Sequence, residues 1–403
     1  MSAHATSRPV SLVLVSHSYP PVLGGSEIEA QRVCAALLKR GHRVMVLCAG
    51  GPPMPDSARW IDPAGVPVRI FARGMTGPLG DYAFALGVAW TLLKERRTYQ
   101  LVYFLMQGVH LAVGLPVARW LGKAIVVKIS GSGIPTLMRR SWMGRRELRW
   151  MRKWAYRVMI LNEGLAGEAL AAGLTPDGLL WMPNPVDTDE FAPCDSGRRQ
   201  ELRARLEIPA EAEAAVFVGR LAPEKELASL IGAFAAVVER RPQAALILVG
   251  EGPSRASLEA RAAQLGLAAH VRFAGRQPAG AIRDWLQACD LFVLVSSNEG
   301  FPCSLAEAMS AGLASVVSDI PGNTQLVDAG VHGLRVPAGD EARIAEAVGR
   351  LLGDADARAR MGLAARRRVV DNYSTERVAD RYEKLFAEAL SPADGCSGGP
   401  VYY

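Results

Sequence analysis

The chain has 403 residues, 50% of them hydrophobic and 21% charged, which is enough for two domains of ordinary size and excludes global disorder. Its six cysteines (Cys34, Cys48, Cys194, Cys289, Cys303 and Cys396) form no Cys-x-x-Cys pair, so they carry no metal signature and suit a reducing cytosol. The net charge of +6 is uneven: 22 Lys and Arg face 11 Asp and Glu through Asp187, and 24 face 29 beyond it, so the amino-terminal half suits an anionic partner.

Short apolar runs alternate with helical patterns along the whole chain. The strands expected in the first half are Val10–Ser16, Val44–Cys48, Val66–Phe71, Leu101–Leu105, Ile125–Ile129, Val158–Leu161 and Leu179–Met182. Those of the second half are Ala215–Val218, Leu246–Val249, Val271–Phe273, Leu291–Val295, Ser315–Val317 and Leu334–Val336. Such β-α alternation implies parallel sheets covered by helices, and there are too many strands for one open sheet. The stretch from Pro183 to Gly197 is rich in Pro, Asp and Asn and reads as a linker. Two doubly wound domains follow, expected at residues 1–190 and 191–373. A terminal helix over 374–390 carries an apolar stripe (Val378, Tyr382, Leu385, Phe386, Leu390), and a Gly-rich mobile tail covers 391–403. No secretory signal is found, and no apolar run is long enough to span a bilayer. A soluble or peripheral cytoplasmic protein is expected.

Three segments carry candidate chemistry. Glu299 and Glu307 stand with seven residues between them, the first on a loop after the Leu291–Val295 strand and the second about one turn into a helix. Between them, backbone N–H groups around Cys303, Ser304 and Leu305 open that helix and suit an anion. Carboxylates flanking an anion site fit a ligand with both phosphates and hydroxyls, such as a nucleotide sugar; the plain alternative is two solvated glutamates. Gly219, Arg220 and Lys225 follow the Ala215–Val218 strand, where two cations can grip a diphosphate leaving group without a metal. Gly24 and Gly25 follow the first strand and let the backbone approach a phosphate. Ser26 and Glu29 have capping-box spacing, which reads Glu29 as a helix cap.

Gly24-Gly25, Asn184-Pro-Val-Asp187, Gly219-Arg-Leu-x-x-x-Lys225, Val249-Gly-Glu-Gly-Pro253 and Glu299-x7-Glu307 occur in this order. Together they resemble the retaining glycosyltransferases of family 4, over about Val10 to Leu390. The resemblance implies the GT-B fold, two Rossmann-like domains facing a cleft, with the terminal helix crossing back to the first. It implies that Arg220 and Lys225 bind the donor diphosphate, and that Glu299 contacts the donor sugar and Glu307 the ribose. Backbone groups from Phe301 and Pro302 through Cys303, Ser304 and Leu305 would hold sugar and phosphate, and Gly25 would close over the phosphate. Many relatives carry a His before the Gly that ends the Ile125–Ile129 strand; here Ser130 stands there. His110 could substitute or could be a packed helix residue, and His17 could reach the acceptor or be structural. Glu226 stands where relatives often have Gly, and is read as a cap of the next helix. Asp187-Thr-Asp189 imitates a metal motif but falls in the linker and reads as a turn. No metal and no cofactor are expected.

Arg139 to Arg157 holds eight basic residues and one acid, Glu147. Arg145, Arg149 and Arg152 share one helical face, and Met143, Trp150 and Trp154 another. This pattern suits an anionic membrane surface, against two alternatives: tryptophans packed on the core, or nucleic-acid binding. The expected activity is transfer of a sugar from a nucleoside diphosphate to a lipid-linked or oligosaccharide acceptor, with no nucleic-acid partner. Rival readings are a GT-B epimerase and a non-catalytic nucleotide-sugar-binding protein.

Overall fold

The computed structural model describes residues 8–391, except 23, 51–52, 56, 76 and 106. The expected tail lies, from residue 392 on, outside the described residues. The chain divides into two units, one running through Pro185 and resuming at Thr375, the other spanning Val186–Ser374. The second unit thus starts five residues before the expected boundary. The reason is local: Val186 N–H donates to the Tyr373 carbonyl at 2.8 Å and Val186 bridges to Ser374, so the unit's two ends are tied together.

The first unit opens with β1 (Ser11–Ser16), α1 (Gly25–Lys39), β2 (Arg43–Ala49), β3 (Arg59–Ile61), β4 (Pro67–Phe71) and α2 (Gly77–Lys94). It continues with β5 (Leu101–Leu105), α3 (Val109–Trp120), β6 (Ala124–Lys128), α4 (Ile134–Arg140), α5 (Trp142–Trp154), β7 (Arg157–Ile160), α6 (Glu163–Ala171) and β8 (Leu179–Trp181). Among the described residues these strands form one sheet in the order β3-β4-β2-β1-β5-β6-β7-β8. It is parallel except at the edge, where β3 runs antiparallel to β4. The sequence did not point to β3: it has only three residues, none of them fully buried.

The second unit contains α7 (Ser196–Arg205), β9 (Glu213–Val218), α8 (Leu227–Arg240), β10 (Ala244–Val249), α9 (Arg255–Gln264), β11 (Val271–Gly275), α10 (Ala279–Ala288) and β12 (Leu291–Leu294). After these come α11 (Cys303–Ser310), β13 (Ala314–Ser318), α12 (Pro321–Thr324), β14 (Gly333–Val336), α13 (Glu341–Gly353) and α14 (Ala355–Tyr373). Its six strands are all parallel, in the order β11-β10-β9-β12-β13-β14. The last helix, α15 (Thr375–Leu390), belongs to the first unit and packs on α1. Val378, Tyr382, Leu385 and Phe386 of its stripe are buried there beside Leu12, Leu14, Val33 and Leu37. Burying each such side chain contributes about 1.5–3 kcal/mol, which holds the helix in place.

Two readings change. Glu29 is not a helix cap: the cap position is Gly24, with no side-chain bond to the helix. Instead Glu29 is 1% exposed and its Oε1 accepts from Lys128 Nζ at 2.5 Å and Tyr382 O–H at 2.8 Å. Lys128 is fully buried (0% exposed) and also donates to Asn184 Oδ1 at 3.0 Å. This network joins α1, β6, α15 and the chain just before Pro185, and it gives two buried charges the partners that burial requires. Glu226 stands at the start of α8 in the left-handed region (φ +52°), with no side-chain cap bond. It does not cap, and the conformation is one that suits Gly.

On α5 the buried residues are Gly144, Glu147, Leu148 and Met151. Gly144 is needed because a Cβ there would fall 2.3 Å from the Met138 carbonyl oxygen of α4. Trp150 and Trp154 are half-buried and stack on each other with ring centroids 5.2 Å apart, and the Arg146 guanidinium lies 4.4 Å over Trp150. Neither tryptophan is among the residues that α5 buries. Arg145, Arg149 and Arg152 are exposed.

Candidate functional site

In the second unit, β9 pairs with β12, and the chain visits β10 and β11 on one side of that pair before β13 and β14 on the other. This is the topological switch point, where open parallel sheets hold ligands beyond the strand carboxyl ends. The loops after β9 and β12 carry the predicted residues and are stitched together: Ser297 N–H donates to the Glu224 carbonyl at 2.9 Å. Arg220 is exposed just beyond β9. Lys225 ends a short turn, and its Nζ lies 2.6 Å from Glu299 Oε1. Ser296 Oγ donates to the same oxygen at 2.7 Å. Ser296 was not among the predicted residues; its place directly after the β12 run is the signal that could have found it.

Side-chain bonds to backbone carbonyls and close glycine contacts hold this loop. Ser318 Oγ donates to the Ser296 carbonyl at 2.5 Å, and Asn323 Nδ2 donates to the Ser318 carbonyl at 3.0 Å. Gly322 of α12 lies against Glu299; a Cβ there would fall 2.3 Å from the Glu299 carbonyl oxygen. On the β9 side, Gly250 (φ +146°) lies so close to Gly219 that a Cβ would fall 1.8 Å from the Gly219 carbonyl oxygen. These glycines let neighbouring loops approach to backbone contact.

α11 begins at Cys303, so its first amides, Cys303 and Ser304, sit on the loop that carries Glu299. The Leu305 amide differs from the expectation: its N–H donates to the Pro302 carbonyl at 3.1 Å and belongs to the first helical turn. Phe301 is buried, with its ring 5.7 Å from that of Tyr373, so only its backbone faces the loop. Glu307 is buried on α11. The second unit thus brings together Gly219, Lys225, Glu299 and the start of α11, with Arg220 at the rim. Chemically this is a cation–carboxylate pair at a helix amino end, where an anion can take the cation and a hydroxyl can take the carboxylate.

In the first unit, His17, Gly24 and Gly25 follow β1, His110 follows β5 and Ser130 follows β6; these strands are adjacent. His17 Nε2 lies 2.8 Å from Asp81 Oδ1, and its ring centroid is 6.2 Å from that of His110. His110 is buried and packs on Phe84 at 5.2 Å, as expected of a packed helix residue, while Ser130 is half-buried. At Gly24 a Cβ would fall 2.2 Å from Glu27 Oε2, and Glu27 Oε1 accepts from Ser18 Oγ at 2.5 Å. The Glu27 carboxylate therefore lies against Gly24.

A cavity of about 280 Å³ in the second unit is lined by Cys194, Arg199, Cys289 and Arg366. Its arginines are already bonded: Arg199 to Asp290 at 2.5 Å and Arg366 to the Ser310 carbonyl at 2.5 Å. Among the described residues no group of three His, Cys, Asp or Glu could hold a metal ion. Asp187 Oδ1 accepts from the N–H groups of Asp189 and Glu190 at 3.2 and 2.9 Å, the geometry of a turn. Burial pushes the Cys48 and Cys289 thiols up to about 12. No helix of the described residues is long and apolar enough to cross a membrane.

Residues 23–190 match the family model Glycosyltransferase Family 4, and residues 198–368 match Glycosyl transferases group 1. The chain is 30% identical over 381 residues to a GDP-mannose-dependent alpha-mannosyltransferase of Mycobacterium tuberculosis, covering 90% of this chain and 92% of the relative. It is 31% identical over 230 residues to a D-inositol 3-phosphate glycosyltransferase of Corynebacterium efficiens, covering 56% of this chain and 54% of the relative. Among solved structures, Anabaena Alr3699/HepE in complex with UDP and glucose superposes with a TM-score of 0.78 at 21% identity, covering 94% of this chain and 99% of that one. Two parallel α/β units, family models over both and a relative matched almost end to end agree: the chain belongs to glycosyltransferase family 4 and is a glycosyltransferase of the GT-B fold.

Proposed function

We propose that this glycosyltransferase moves a sugar from a nucleoside diphosphate to a hydroxyl of a lipid-linked or oligosaccharide acceptor, with retention of anomeric configuration and without a metal. The observation that carries this reading is the Lys225–Glu299 pair at 2.6 Å, on the β9 and β12 loops at the switch point. A donor would part the two groups. Lys225 and Arg220 turn to the diphosphate, and Glu299 accepts from sugar hydroxyls while Ser296 keeps it in place. Glu307 binds the ribose, and the Cys303 and Ser304 amides face a phosphate oxygen. The bond from the anomeric carbon to the phosphate oxygen breaks, and a bond to the acceptor oxygen forms on the same face. The acceptor proton passes to the departing phosphate. The two cations stabilise the charge that develops there, each by about 2.7–4 kcal/mol, the usual loss when one such donor is removed.

His17, His110 and Ser130 are the acceptor-side candidates, and Gly24 and Gly25 the phosphate-side candidates of the first unit. GDP-mannose is the first donor to test, from the name of the full-length relative, and UDP-glucose the second. We place the enzyme on the inner face of the cell membrane, held there by Arg145, Arg149, Arg152, Trp150 and Trp154, in surface-glycan assembly. Support for this placement is the exposure of those arginines on a helix whose core face is made by other residues. The test is donor turnover by Arg220→Ala and Lys225→Ala. Each should lose about two to three orders of magnitude with folding intact. Near-normal turnover in both would remove the diphosphate assignment.

A further inference from the structure

α2 carries an apolar stripe that its own unit leaves uncovered. Leu79, Tyr82, Leu86 and Trp90 follow one another at spacings of three, four and four residues, which puts them on one helical face over about 16 Å. They are 73%, 53%, 66% and 65% exposed. α2 packs on α3 and α3 on α5, so these helices form one layer over the sheet. On the neighbouring helix α3, Trp120 is 78% exposed. Lys123 Nζ donates to the carbonyls of Arg96 and Tyr99 at 2.5 and 2.8 Å, which holds the ends of α2 and α3 side by side. Large exposed apolar groups gathered on one face mark an interaction surface.

The charges around this surface say what covers it. Between Gly77 and Arg157 there are 14 Lys and Arg and three Asp and Glu. Each of the three acids is paired or buried: Asp81 is bonded to His17, Glu95 to Arg69, and Glu147 is buried. Lys94, Arg96, Arg97 and Arg119 are exposed at the ends of α2 and α3. A second copy of this chain would set the same cations against each other across a two-fold interface. An anionic bilayer meets them with opposite charge and accepts the apolar stripe between its headgroups. Exposed acids resume beyond Arg157, at Glu163 of α6.

We propose that the outer face of α2 and α3 is a bilayer-inserting surface, and that it takes an anionic lipid membrane. This rests on the membrane reading of α5 given above and adds to it. α5 attracts the bilayer through charge, and α2–α3 insert apolar side chains that salt does not screen.

The test is co-sedimentation of the full chain with phosphatidylcholine vesicles, with and without phosphatidylserine, at low and high salt. Wild type should bind phosphatidylserine vesicles and keep a salt-resistant remainder. Leu86→Ser/Trp90→Ser should weaken that remainder by about tenfold or more while low-salt binding persists. Leu79→Ser/Leu86→Ser should do the same and leaves every tryptophan in place. The charge reversal of Arg145, Arg149 and Arg152 to Glu should instead weaken low-salt binding, down towards the salt-resistant remainder. If both serine pairs bind as wild type does, the α2–α3 surface is refuted while the α5 reading stands. If only the charge reversal is silent, the α5 reading fails alone. If wild type ignores the vesicles, both fail. If the serine pairs turn a dimer into a monomer without lipid, a second copy covers this face and the proposal is overturned.

Discussion

Replacing Lys128 by Met keeps the length of the side chain and removes its charge from a site with no solvent. In the wild type Lys128 Nζ donates to Glu29 Oε1 at 2.5 Å and to Asn184 Oδ1 at 3.0 Å. After the change Glu29, 1% exposed, would keep the Tyr382 hydroxyl at 2.8 Å but no counter-charge. Breaking a buried pair from one side costs about 3–5 kcal/mol, because one buried charge is left uncompensated. At a urea slope of about 2 kcal/mol/M, the unfolding midpoint should fall by about 1.5–2.5 M. Tryptophan fluorescence reads this event, since seven of the eight tryptophans lie in the first unit and only Trp285 in the second. Adding Glu29→Gln to Lys128→Met removes the stranded charge and should recover at least half of the loss. A single-variant loss below about 1 kcal/mol, or a double variant no more stable than the single, would mean that Lys128 does not compensate the Glu29 charge.

Glu299→Gln keeps the shape of the site but weakens bonds to sugar hydroxyls, so turnover should fall more than nucleoside-diphosphate affinity; Glu307→Ala should do the reverse. Calorimetry with kinetics checks this, and the opposite pattern would exchange the two roles. Glu147 is buried on α5 with its Oε1 lacking a hydrogen-bond partner among the described residues, and burial raises its carboxyl to about 7. The folded state then holds a proton that the unfolded chain releases, so wild-type stability should fall as pH rises from the usual carboxylate range to about 7, and level off above it. Glu147→Gln should lack this slope, with the gap reaching about 3 kcal/mol above that window; urea midpoints across pH measure it, and parallel profiles would refute it.

The strands were legible because buried parallel strands read as apolar runs, and every expected run overlaps a strand. β3 was not, since Arg59-Trp60-Ile61 has neither the length nor the apolar character of a buried run. Glu29 was misread because its partner Lys128 is 99 residues away, and local spacing offers only the nearby capping pattern. The Trp150 and Trp154 pair was read correctly as sharing a face, but the core side of α5 uses smaller residues beside Met138. The candidate site was legible in its loops because turn glycines, cations and acids follow apolar runs directly. Its support was not: Ser296, Ser318, Asn323 and Gly322 act through contacts formed only on folding.

Retaining, metal-free sugar transfer is read most directly by proton NMR of the transfer product. Full-length protein is incubated with GDP-mannose or UDP-glucose, an alcohol or lipid-linked acceptor, and EDTA. The expected product is a new glycoside with the anomeric configuration of the donor, formed at a rate that EDTA leaves largely intact. An inverted product, or transfer that stops with EDTA and returns with Mn²⁺ or Mg²⁺, would contradict it.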